Sequence, residues 1–274
     1  MPYMDEYVTY KEMGNMFDVS DKVAIVTGAA SGLGLGIAFA FAANGGKVIA
    51  VDINKEGLDS AVSEITKNGG FAKAQVCDVT SVESVKKLYE NTMKEFGKID
   101  ALYVIPGINY RKKIENYSYE EFDKVVNLNL KGTFILLKEI GTKMGKDGSG
   151  GSIVLMSSIR SVVTEPGQGV YASTKAAMVQ LARTLAAEMG KYNVRVNAIG
   201  PGVIDTPLTT QIKKDKDWYN AYANKSPLKR WGRIKEIAGP AVFLATDAAS
   251  FINATIIFVD GGWTGIDGRY EPNV

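Results

Sequence analysis

Short apolar runs rich in β-branched residues recur along the chain: VAIVT at 23–27, KVIAV at 47–51, ALYVI at 101–105, SIVLM at 152–156, VRVNAI at 194–199 and TIIFV at 255–259. They lack the in-out alternation of a half-exposed strand, so each is expected to be a strand covered on both faces. Between them, segments of helical periodicity are expected near 32–44, 55–68, 81–96, 118–143 and 170–190. Strand and helix in turn predict an α/β fold: a single doubly wound parallel sheet with helices on both faces and right-handed crossovers. No linker divides the chain, so residues 21–274 are expected to form one domain behind an extension at 1–20. A glycine-rich stretch at 145–151 follows a helix and precedes a strand. That is the wrong order for a phosphate cradle, and it reads as a turn.

Composition narrows the function. The 274 residues carry 32 lysines and arginines against 30 acids, a balance that argues against a nucleic-acid or anionic-membrane surface. Cys77 is the only cysteine, so neither an internal disulfide nor a cysteine-rich zinc site is available, no metal is expected, and a reducing, cytoplasmic setting fits. The first twenty residues are acidic and aromatic, unlike a secretion signal, and no later stretch is apolar for long enough to span a membrane. A small-molecule partner is expected.

Directly after the first run comes GAASGLG, with Gly28, Gly32 and Gly34 opening a helix. Such glycines permit a tight turn and close backbone approach to a pyrophosphate, whose charge the helix N-terminus favours. Asp52 ends the second run, close to the roughly 20-residue spacing expected of a carboxylate that accepts from the adenosine ribose hydroxyls. It would repel a 2′-phosphate, and Ser31 stands in the loop where a basic residue could have met one. These features predict a Rossmann dinucleotide site that takes NAD in preference to NADP.

The chain has no histidine, so proton transfer needs another group. Tyr171 and Lys175, in YASTK, stand one helical turn apart on one face, where an ammonium would favour the phenolate. Ser158, after the strand at 152–156, is expected to converge on them at the carboxyl edge of the sheet and to hold a substrate oxygen.

With these residues in place the sequence resembles the short-chain dehydrogenase/reductase family over about residues 20–263. TGAASGLG, CDV at 77–79, NLNLKGTF at 127–134, Ser158 with YASTK, NAIGPGVIDT at 197–206 and FVDGG near the end match its motifs in order. The resemblance implies that Tyr171 is the general acid and base, that Lys175 lowers its pKa and holds the nicotinamide ribose, that Ser158 orients the reacting oxygen, and that Asn129 supports a water in the proton relay. It implies a cofactor-binding set of Gly28, Ser31, Gly32, Leu33, Gly34, Asp52, Ile53, Asp78, Val79, Gly107, Tyr171, Lys175, Pro201, Gly202, Val203, Ile204 and Thr206, and a homotetramer. The chain departs from the family at Val104, Ile105 and Pro106, where Asn-Asn-Ala is usual. The strand-tying asparagines are lost, and Pro106 has no backbone donor.

Within the family, GINYRKKI at 107–114, RWGR at 230–233 and FVDGGW at 258–263 resemble dehydrogenases that act on gluconate or 2-keto-3-deoxygluconate. A sugar acid carries a carboxylate, for which Arg111 and Arg160 are the candidate ligands, while Lys112 and Lys113 read as a solvated face. The polar, aromatic-interleaved stretch 207–230 is expected to be a lid over the substrate. Two readings from other classes stand beside this one: a reductase of carrier-bound acyl chains or simple polyols, and a non-catalytic NAD sensor.

Overall fold

The computed structural model describes residues 13–146 and 149–267; the first twelve residues of the expected extension, two positions in the glycine-rich stretch at 145–151, and the chain end from 268 lie outside it. The strands are β1 (Val23–Thr27), β2 (Lys47–Asp52), β3 (Phe71–Val76), β4 (Ala101–Val104), β5 (Gly151–Met156), β6 (Val194–Pro201) and β7 (Ile256–Val259). They form one sheet in the order β3-β2-β1-β4-β5-β6-β7, every neighbour pair parallel. The helices are α1 (Gly32–Ala43), α2 (Lys55–Lys67), α3 (Val82–Phe96), α4 (Tyr119–Val126), α5 (Thr133–Glu139), α6 (Gly169–Met189), α7 (Thr210–Lys213), α8 (Lys216–Lys225) and α9 (Ile234–Leu244).

Burial on both faces explains why β1 is apolar throughout. Ala24 and Val26 pack on one side with Ile37 and Phe41 of α1, Leu58 of α2 and Ile237 of α9. Val23 and Ile25, pointing the other way, join Val85 and Leu88 of α3, Leu136 of α5 and Met178 of α6. The chain winds out to β3, then returns past β1 to β4, so β1 has neighbours that continue in opposite directions. In open α/β sheets the ligand crevice lies at that reversal, beyond the carboxyl ends of the strands.

Several elements differ from expectation. β3 was not predicted: FAKAQV lies at the sheet edge with four of its six residues exposed, so it carries no continuous apolar signal. The single helix expected over 118–143 is α4 and α5 joined through a π-helical segment, Asn127–Gly132, and the Thr133 hydroxyl at the start of α5 donates back to the Asn129 carbonyl at 2.7 Å. The stretch 207–230 holds α7 and α8, and α9 follows it with Pro240 inside. Among the described residues no helix is long and apolar enough to cross a membrane.

Candidate active site

At the sheet reversal the turn after β1 is left-handed at Gly28 and again at Gly32, with φ of 70° and 56°. Gly34 approaches so closely that a Cβ there would lie 2.1 Å from the Gly28 carbonyl oxygen. The first turn of α1 therefore sits directly over the end of β1, and the Ser31 side chain does not cap it. Its amide N–H groups are left for an anion, which is the arrangement a pyrophosphate requires. Asp52 is pinned at the end of β2, accepting from the backbone N–H of Ala30 at 3.2 Å and of Asn54 at 3.0 Å.

The departure at 104–106 has a local remedy. The Thr27 hydroxyl donates to the Tyr103 carbonyl at 2.8 Å and accepts from Ile105 N–H at 3.2 Å, tying β1 to β4 without an asparagine. Pro106 lines the cleft beside Gly28.

One cleft of about 390 Å³ runs along the carboxyl edge. Of the sequence-predicted residues it is lined by Gly28, Ser31, Gly32, Leu33, Asp52, Ile53, Asp78, Val79, Gly107, Ser158, Tyr171, Lys175, Pro201, Gly202, Val203, Ile204 and Thr206, and by Arg111 and Arg160. Two predicted residues stand behind the wall instead. Gly34 acts through packing, and Asn129, fully buried, spends its side-chain amide on the loop after β4: Oδ1 accepts from Ile108 N–H at 2.9 Å, and Nδ2 donates to the Ile108 carbonyl and the Thr174 hydroxyl. The side chain thus holds the Gly107–Ile108 backbone at the cleft wall, and any support it gives a relay water would act through that backbone.

Ser158 caps a short turn at Ile159–Ser161, accepting from Arg160 N–H at 3.1 Å. Tyr171 lies in the first turn of α6. One turn on, Lys175 is buried with Nζ 5.6 Å from the Tyr171 ring centre and donating to the Met156 carbonyl at 2.6 Å. The expected depression of the phenol is not reached by the protein's own groups. Burial raises the Tyr171 pKa, while a hydrogen bond with Ser158 and the charges of Arg111 and Arg160 pull against it. Burial also pushes the Lys175 ammonium down to about 8. Both effects are the desolvation cost of a charged form in an apolar wall.

A residue that motif reading missed organises the outer end. Glu165 pairs with Arg111 at 3.1 Å and Arg160 at 2.9 Å, and accepts from Gln168 at 2.7 Å and from the Tyr222 hydroxyl. Burial would raise its carboxyl, but the hydrogen bonds from Tyr222 and Gln168 and the two guanidinium charges outweigh that and hold it below the usual range. Tyr222 belongs to α8, so this carboxylate joins the 207–230 cover to the catalytic loop. Trp218 of the same helix lies 5.3 Å under the Arg111 guanidinium. Tyr219 stacks on Trp231 at 4.8 Å, and Tyr222 meets Trp263 edge-on, which packs the cover down. Lys112 and Lys113 pair with Glu121 and Glu115 on the surface, the solvated face expected of them.

Comparisons with known proteins agree with this geometry. A family model described as enoyl-(acyl carrier protein) reductase matches residues 28–264. The chain is 34% identical over 249 residues to the 2-dehydro-3-deoxy-D-gluconate 5-dehydrogenase of Dickeya dadantii, covering 91% of this chain and 98% of that one. It is 37% identical over 248 residues to the D-threitol dehydrogenase of Mycolicibacterium smegmatis, covering 90% and 95%. A solved gluconate 5-dehydrogenase from Burkholderia cenocepacia J2315, in complex with NADP and tartrate, superposes with a TM-score of 0.88 at 28% identity, covering 92% of this chain and 98% of that one. With a glycine cradle, an acidic ribose position and a Ser-Tyr-Lys cluster meeting at one sheet edge, the chain belongs to the short-chain dehydrogenase/reductase family, whose members are NAD(P)-dependent oxidoreductases acting on CH–OH groups.

Proposed function

We propose that this enzyme oxidises a secondary hydroxyl of a sugar acid of the gluconate or 2-keto-3-deoxygluconate type, or reduces the matching ketone, with NAD preferred over NADP. When bound, the nicotinamide supplies the hydride-accepting carbon. Gly28, Ser31, Gly32 and Leu33 would hold its pyrophosphate and Asp52 with Ile53 the adenosine ribose. Asp78 and Val79 would flank the adenine, and Gly107 with the segment from Pro201 to Thr206 would meet the nicotinamide end. Ser158 holds the substrate oxygen, Tyr171 takes its proton, and Lys175 holds the nicotinamide ribose and supports the phenolate. Asn129, holding the loop after β4 through Ile108, would support a water in the proton relay. The resemblance to the family supports a homotetramer, and the single cysteine, Cys77, fits a reducing cytoplasm.

The observation behind the sugar-acid reading is the pair of guanidinium groups beside the catalytic phenol. Glu165 balances only one of their two charges, so the end of the cleft that would receive the substrate keeps a net positive charge. Arg111 meets Glu165 through a single nitrogen, and the rest of its fork has no hydrogen-bond partner among the described residues. If it holds the substrate carboxylate, Arg111→Ala should lower kcat/KM for aldonates by about ten- to a hundredfold, the 1.5–3 kcal/mol of a charge-assisted hydrogen bond. Neutral polyols of like length should lose far less. Steady-state rates with gluconate and xylitol give the comparison; equal losses would leave the arginine a structural role. A second reading, a neutral polyol, is favoured by the carboxylate already seated between the guanidiniums. The same comparison decides it, and acyl thioesters in the panel test the carrier-bound class.

The cofactor preference rests on Asp52, whereas the Burkholderia structure has NADP bound. With the carboxylate pinned by two backbone N–H groups, a 2′-phosphate cannot push it aside cheaply. A like-charge repulsion near a surface costs about 1–4 kcal/mol, so Asp52→Ala should shrink the NAD over NADP ratio of kcat/KM by about tenfold or more. A wild-type enzyme that already preferred NADP would overturn the reading.

A further inference from the structure

Asn109 lies two residues beyond Gly107 in the loop after β4 and lines the same cleft as Ser158 and Tyr171. Its Nδ2 donates to Gln168 Oε1 at 2.7 Å, and Gln168 Nε2 in turn donates to Glu165 Oε1 at 2.7 Å. Its Oδ1 is shielded from solvent and has no hydrogen-bond partner among the described residues. Buried carbonyls are seldom left without a donor, so the exception calls for a reason.

The orientation of this amide is not arbitrary. Glu165, held ionised by two guanidiniums, can only accept, so Gln168 must turn its NH₂ toward it. That leaves Gln168 Oε1 facing Asn109, which must answer with its own NH₂. A flipped Asn109 would set two carbonyl oxygens against each other. Three side chains in series therefore fix the polarity of what Asn109 has left to offer, which is an acceptor and not a donor.

We propose that Asn109 is a specificity-determining residue whose Oδ1 accepts a hydrogen bond from a substrate hydroxyl neighbouring the reacting carbon, with Gln168 and Glu165 as the positioning residues that keep it an acceptor. The substrate class this favours is polyhydroxylated. A methylene or carbonyl at that position would leave Oδ1 unpaired or repelled. The inference rests on the proposed dehydrogenase chemistry at Tyr171 but not on the substrate's carboxylate, since a polyol would present the same hydroxyl.

The test compares gluconate and threitol with their monodeoxy counterparts, using NAD, in the wild type, Asn109→Leu and Glu165→Gln. The wild type should discriminate against loss of one particular hydroxyl by about tenfold, the effect of one neutral hydrogen bond. Asn109→Leu should abolish that discrimination, chiefly through KM, with NAD affinity by fluorescence titration unchanged. Glu165→Gln, with Asn109 intact, should also blunt it, because a neutral amide lets the series of amides reverse. It serves as well if Asn109→Leu fails to fold. Equal losses for hydroxylated and deoxy substrates, or undiminished discrimination in both variants, would overturn the proposal, as would turnover of neither gluconate nor threitol. Turnover of threitol alone, with Asn109-dependent discrimination, would refute the sugar-acid reading and keep this one.

Discussion

Replacing Tyr171 by phenylalanine is expected to lower kcat for alcohol oxidation by about 10²- to 10⁴-fold, the usual worth of a general acid or base, and to leave NAD binding nearly unchanged. Among the described residues no imidazole or free carboxylate is placed for the task, and Lys175 Nζ is engaged with the Met156 carbonyl. The chain has no histidine, Asp52 and Asp78 belong to the far arm of the cleft, and Glu165 is committed to two guanidiniums. The pH dependence has a defined sign. Oxidation needs the phenol deprotonated, so the rate should rise with pH, and because burial raises the Tyr171 pKa the protein alone places that rise on the alkaline side. Lys175, pushed down to about 8, has lost its charge before that range is reached, so its ammonium supports the phenolate only toward the neutral end of the profile. Lys175→Met should remove that support and lower the rate most near neutral pH. Steady-state pH profiles of the three proteins check both statements. A Tyr171→Phe enzyme with wild-type turnover would mean the proton leaves by another route.

The parts of this enzyme that could be read in the sequence are those whose signal is local. A strand buried on both faces must be apolar throughout, so β1, β2, β4, β5 and β6 stand out, and a turn that presses a helix onto a strand must be glycine, which marks Gly28, Gly32 and Gly34. Tyr171 and Lys175 share one helix. β3 escaped notice because an edge strand that exposes Phe71, Lys73, Ala74 and Val76 has no period to detect. Pro240 disguised α9, although that helix keeps five buried residues against the sheet.

Glu165 and Asn109 illustrate a different limit. Glu165 takes its meaning from partners at 111, 160 and 222, which only the folded chain brings within reach. The arginines were identified as cationic candidates, yet the carboxylate between them could not be, since a glutamate in a loop ordinarily faces water. The orientation of the Asn109 amide depends in turn on that carboxylate. The motif marks Asn129, but its partners, the N–H and carbonyl of Ile108 and the Thr174 hydroxyl, lie 21 and 45 residues away and only the fold brings them together.

Gly34→Ala is expected to cost more than any other small substitution in the cradle. An ideal Cβ at this position would stand 2.1 Å from the carbonyl oxygen and 2.5 Å from the carbonyl carbon of Gly28, and 3.0 Å from the oxygen of Thr27. All three atoms are backbone, and neither β1, fixed between β2 and β4, nor the left-handed turn at Gly28 can yield. The helix must lift instead. It carries Ile37 and the buried ring of Phe41, which packs edge-on against Tyr103 at 6.0 Å, so lifting it opens the core and carries the anion-binding N–H groups off the cleft. Overpacking of this kind costs about 1–3 kcal/mol or more, and NAD affinity should fall by about tenfold or beyond, since each 1.4 kcal/mol lost from binding is a factor of ten. Gly36→Ala is the control. Its Cβ would also meet an atom at 2.1 Å, but that atom is the Ile234 Cγ2 methyl, which a side-chain rotation can move. Thermal unfolding and NAD titration should therefore show Gly34→Ala weakened in both respects and Gly36→Ala only slightly, whereas equal behaviour of the two would show that backbone contact under α1 does not govern the cradle.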